Sequence, residues 1–153
     1  MDMLKIKIQW LNCLWLLVPL LAWNIILAPK ITMEQVISDA HSPIWLLTAE
    51  NITRVIVFAF PLLLPLRIQN RMSKTGLVIY LAGTLIYFAS WIPIIWAPDS
   101  VWSQSAVGLL APRLTPLLSF LGIALVGHSI PYAVVSVTFI ALHTLHGIQN
   151  LNS

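Results

Sequence analysis

The chain has 153 residues, 59% of them hydrophobic and 8% charged, with a formal net charge of +3. Charged content that far below the roughly 25% of a soluble domain makes lipid the natural solvent and leaves no room for a separate water-soluble catalytic domain. The few basic residues form no patch suited to nucleic acid, and a single cysteine, Cys13, excludes an intramolecular disulfide.

Apolar stretches follow one another at about residues 8–27, 44–66, 75–96, 114–127 and 130–145. About twenty apolar residues cross a hydrocarbon core of about 30 Å. The fold class predicted is therefore an all-α integral membrane protein: one domain over residues 1–153, a bundle of five transmembrane helices. Four helices with a re-entrant hairpin at the end are the alternative.

The first stretch follows Lys5 and Lys7, as the apolar core of a secretory leader would. It is read as a span instead. It is too long for such a core, contains Trp10, Trp15 and Trp23, and shows no small-x-small cleavage site. Asn12 stands where a lipoprotein site needs a small residue before Cys13, so the thiol is read as a packing group. The connection that follows carries Lys30 against Glu34 and Asp39.

The second stretch holds Glu50-Asn51-Ile52-Thr53-Arg54, with Pro61 and Pro65 near its end. A charge at the centre of a span costs at least about 2.5 kcal/mol on insertion scales. Glu50 and Arg54 share a helix face in the favourable order, acid first. They are predicted to face inward and, with Asn51, to form a polar site for a small solute or a proton; an ion pair that only orients helices is the other reading. Asn51-Ile52-Thr53 also matches a glycosylation acceptor, but lies too near the membrane to serve as one.

In the third stretch Gly76, Tyr80, Gly83, Tyr87 and Ser90 alternate at steps of four and three, which sets small residues and tyrosines on one stripe. That stripe is predicted to pack on protein, with Tyr80 and Tyr87 opposite the Glu50 site. Arg67, Arg71 and Lys74 fall on the same side as Lys5 and Lys7, which puts the amino terminus in the cytoplasm. Trp45, Trp91, Trp96 and Trp102 are expected at the outer boundary, where amphipathic rings collect, and Asp99 in an outer loop.

Residues 101–110 begin too polar to cross and are expected to be interfacial or re-entrant, with Arg113 snorkelling to the outer surface. The fourth stretch starts at Pro112 and Pro116, and its Ser119 and Gly122 suggest a surface matching the tyrosine stripe. Gly127-His128-Ser129, followed by Ile130-Pro131, reads as a tight turn into the fifth stretch. There His143 and His146 are three apart and so share a helix face, extended inward by Tyr132 and Ser136. Such a pair binds a transition metal when further ligands converge. The outer-side candidates for that are Asp39, His41, Glu50 and Asp99.

No phosphate loop, dinucleotide glycine pattern, nucleophile elbow, H-E-x-x-H motif or run of intramembrane arginines is present. No cofactor is predicted beyond the metal alternative. The expectation is a multi-pass protein of a cell membrane, by type the bacterial cytoplasmic membrane. Its pocket, built from Glu50, Asn51, Arg54, Tyr80 and Tyr87, would bind or pass a small solute. An accessory subunit of a larger membrane complex and a metal-dependent membrane enzyme using His143 and His146 are the alternatives. The partners expected are the lipid bilayer and a second copy or a larger membrane protein.

Overall fold

The computed structural model describes residues 10–27, 29 and 42–151. Within them lie α1 (Leu14–Leu27), α2 (Ile44–Ala59) continued by a 3-10 turn over Phe60–Leu63, and α3 (Arg71–Trp96). The short α4 (Val101–Gln104), α5 (Ala106–Leu114), α6 (Pro116–Val126) and α7 (Ile130–Leu151) complete the order. No strand occurs among the described residues. Four helical segments are long and apolar enough to cross a membrane: Ile44–Leu63, Arg71–Trp96, Ala106–Val126 and Ile130–Leu151; α1 is a shorter apolar helix. Leu81, Leu85, Val134 and Val137 are among the large apolar side chains on the exterior, the distribution expected of a chain dissolved in lipid. Lys5, Lys7, Lys30, Glu34, Asp39 and His41 lie outside the described residues.

Local chemistry explains where the helices start. The side chains of Asn70, Ser100, Ser105 and Ser129 accept from the backbone N–H of Ser73, Ser103, Gly108 and Tyr132, capping α3, α4, α5 and α7. The first predicted stretch begins its helix only at Leu14, because Asn12 Oδ1 accepts from Leu14 N at 3.1 Å and holds the preceding residues out of the helix. Those residues instead run beside the end of the second stretch, with Cys13 N donating to Leu64 O and Leu66 N to Leu11 O. Pro61 and Pro65 supply no backbone donor, so α2 stops at Ala59 rather than reaching residue 66. Cys13 is fully buried there, as its packing role requires.

Residues 101–110, expected to be interfacial or re-entrant, divide between α4 and α5, and residues 106–114 join a segment long and apolar enough to cross a membrane. Residues 106–114 form α5, which runs into α6 with a break only at Thr115, so the fourth helical stretch begins eight residues earlier than predicted. Pro116 removes the donor at that point, and Pro112 is tolerated inside α5. The turn after α6 is tight, as expected, but its left-handed residue is His128 (φ 51°) and not Gly127. Gly127 packs closely on the Leu64 side chain, whose Cδ1 would lie 2.8 Å from a Cβ there. His128 Nε2 reaches Ser73 Oγ at 2.9 Å and Asn70 Nδ2 at 3.0 Å, pinning the turn to the start of α3. With this turn α7 folds back along both α5 and α6, and at 22 residues it is longer than the half-length helix of the re-entrant alternative.

The closest helix pair is α3 with α6. Gly76, Gly83 and Gly122 lie in their seam, where a Cβ on Gly122 would be 2.5 Å from Tyr80 N and one on Gly83 2.6 Å from Ser119 N. Thr84 Oγ1 and Ser119 Oγ bond at 3.1 Å across it. The predicted small-residue stripe thus packs on protein, and its partner is α6 of the same chain.

Candidate functional site

The segments that carry the polar residues meet at one end of the bundle. Ser42, just before α2, bonds to Asn150 near the end of α7 at 3.1 Å, while the opposite ends of α1 and α2 meet at Cys13 and Leu64. The site lies toward the first of these ends, between α2 and α7.

Its centre is Glu50, 1% exposed. Oε1 faces His143 Nδ1 at 2.9 Å and Oε2 faces His146 Nδ1 at 2.6 Å. One turn further along α2, Arg54 Nη2 donates to Oε1. An ionised carboxylate only accepts, so each imidazole presents its Nδ1 proton to Glu50, and three charge-assisted donors satisfy one buried anion. The i, i+3 spacing of the two histidines places both rings on the face of α7 that meets α2. His143 is held further by stacking on Phe139, with ring centroids 5.5 Å apart. The Arg54 guanidinium lies 6.0 Å from the same Phe139 ring, within cation–π range.

Beside this cluster is a cavity of about 740 Å3, a size typical of small-molecule sites. Arg54 and His143 contribute to its wall, as do Asn24, Tyr87, Trp91 and Arg113, while Leu20, Phe58, Leu109, Phe120, Phe139 and Ile140 supply much of its apolar surface. Glu50 is set behind this wall. Tyr87 Oη donates to Asn24 Oδ1, which ties α3 to α1 at the margin of the cavity. Arg113 lies against Gly147, where a Cβ would come 2.6 Å from Arg113 Cδ, and its Nη1 approaches His143 O at 3.5 Å.

The predicted site residues therefore separate. Glu50 and Arg54 are joined as expected, and His143 and His146, read as possible metal ligands, converge on Glu50. Tyr87 reaches the cavity. Asn51 is exposed on the outside of α2, and Tyr80 is packed in the α3–α6 seam against Gly122, so neither meets Glu50. Trp91, placed at the boundary by the sequence, lines the cavity. Arg113 contributes to the cavity wall with its stem against Gly147; nothing in the sequence pairs positions 113 and 147. Asn24 is a further cavity residue, and the sequence offers a signal for it only in being an amide deep inside an apolar run. Asp99 is exposed in the turn between α3 and α4; Asp39 and His41 lie outside the described residues. Among the described residues no group of three or more His, Cys, Asp or Glu side chains is suited to hold a metal ion.

No protein-family model, curated protein or solved structure matches the chain.

Proposed function

We propose that this is a multi-pass protein of a cell membrane, of the bacterial cytoplasmic type, in which α1 makes a fifth crossing and the amino terminus is cytoplasmic. Its cavity binds or passes a small solute, with the Glu50 cluster at its polar edge. The observation that carries the reading is a buried carboxylate held by two imidazoles and a guanidinium directly behind a cavity of ligand size. Intramembrane ionisable groups are costly and tend to mark functional sites. Here two of the four members, Arg54 and His143, also form cavity wall. The competing assembly role of the small-residue stripe loses support, since Gly76, Gly83 and Gly122 pack within the chain.

The test is thermal unfolding of wild type, Glu50→Gln and Arg54→Met in detergent against a panel of small polar and ionic solutes and metals. A ligand at about 100 times its Kd stabilises the folded state by about 2.7 kcal/mol. The expected result is a solute that raises the wild-type midpoint but not that of a folded Arg54→Met protein. Destabilised variants with no solute response in wild type would assign the cluster to helix orientation alone.

A further inference from the structure

His143 belongs both to the Glu50 cluster and to the cavity wall. Its Nδ1 presents a proton to Glu50 Oε1 behind the wall, while the ring itself lines the cavity. Arg54 already balances the charge of Glu50, so neutral imidazoles leave the cluster without net charge, the state that an apolar surrounding favours. A neutral imidazole with its proton on one nitrogen carries a lone pair on the other. The two nitrogens lie on opposite sides of the ring, so Nε2 is directed away from Glu50. It meets no hydrogen-bond partner among the described residues, and the side chain is 27% exposed. Glu50 strengthens this acceptor, because hydrogen bonds in series polarise one another. Beside it the wall is aromatic. The His143 ring stacks on Phe139, and Phe139 meets Phe58 and Phe120 with ring centroids 6.5 and 6.2 Å apart. All three phenylalanines line the cavity.

Resting on the solute-binding reading above, we propose that the ligand is an apolar aromatic alcohol of the phenol class. Its hydroxyl donates to His143 Nε2, and its ring packs against Phe58, Phe120 and Phe139. The lone pair selects a donor. An ionised carboxylate or phosphate only accepts and has no proton to offer this nitrogen. An ammonium would donate, but it would stand beside the Arg54 guanidinium, which lies 6.0 Å from the same Phe139 ring. A neutral hydroxyl meets neither obstacle. The phenylalanines select the ring, because aromatic pairs in offset or edge-to-face contact gain more than their buried area alone provides. A cavity of about 740 Å3 has room for one ring bearing an alkyl chain.

The test is native mass spectrometry of the full chain released from a neutral detergent and offered three probes of similar size. They are para-octylphenol, para-octylanisole, whose hydroxyl is capped by a methyl group, and para-octylcyclohexanol, whose ring is aliphatic. The expected result is one retained octylphenol per chain. Retention of the anisole should be weaker by about tenfold, the scale of one hydrogen bond, and that of the cyclohexanol by about threefold or more. In nitrogen-15 spectra of histidine-labelled protein, octylphenol should move one Nε2 signal, the one missing from His143→Gln, and the anisole should leave it in place. Equal retention of the anisole or the cyclohexanol, or an Nε2 signal that octylphenol does not move, would overturn the phenol assignment while leaving a solute site in place. Retention of none of the three overturns this assignment alone if the thermal panel finds a solute, and both proposals if that panel is silent too.

Discussion

At position 50 a carboxylate is fully enclosed and meets three donors, two from α7 and one from its own helix. Removing one side of a buried ionic network leaves the other side desolvated and uncompensated, at a typical cost of about 3 to 5 kcal/mol. Glu50→Ala should lower stability by about 3 kcal/mol, read as the shift of a denaturation curve in mixed micelles. A change below about 0.5 kcal/mol, the size of an ordinary surface substitution, would mean that the carboxylate is solvated. Arg54 is different, because its side chain is 44% exposed; its loss should affect ligand retention more than folding. At the residue scale the sequence showed the Glu50–Arg54 pair, because i, i+4 spacing is local. It also showed that His143 and His146 share a face. It could only suggest Glu50 as one of several carboxylates for them, since positions 50 and 146 meet through the packing of α2 on α7.

At the scale of elements the seam between α3 and α6 depends on absent side chains. A Cβ on Gly122 would fall 2.5 Å from Tyr80 N and 2.6 Å from Tyr80 Cα, and backbone cannot rotate aside as a side-chain tip can. Gly122→Ala should therefore destabilise by about 2 kcal/mol, the usual cost of overpacking. Ala82→Leu, on the exposed face of α3, should change stability little; equal effects at both positions, measured by thermal unfolding, would contradict the seam. The stripe of Gly76, Tyr80, Gly83 and Tyr87 was legible because a helix repeats every 3.6 residues. The ends of the elements were less so. Asn12 holds back the start of α1 and Pro61 and Pro65 end α2 early, and the freed backbone pairs Cys13 with Leu64 and Leu11 with Leu66, more than fifty positions apart. Residues 101–110 look too polar at their start because of Ser103, Gln104 and Ser105. Those serines finish one short helix and cap the next, and α5 itself is apolar except for Arg113.

For the molecule as a whole, Arg67, Arg71 and Lys74 cluster at the end where Leu64 meets Cys13 and His128 meets Ser73, opposite the cavity. On the proposed topology, with the amino terminus cytoplasmic, the positive-inside rule would set the cavity toward the outer leaflet. A cysteine introduced at Asp99 should react with a membrane-impermeant thiol reagent on intact cells, whereas one at Gln69 should react only after permeabilisation; native Cys13 is buried and should stay silent. The reverse pattern would invert the topology. Glu50 joins α2 to α7 and holds Arg54 and His143 at the cavity wall. Nitrogen-15 spectra of histidine-labelled protein in detergent, wild type against Glu50→Gln, test that junction directly. The predicted result is that two imidazoles carry a hydrogen-bonded Nδ1 proton and that both signals move in the variant, while that of His128, engaged with Ser73 at the other end, stays in place. Histidine signals that are all indifferent to the substitution would contradict it.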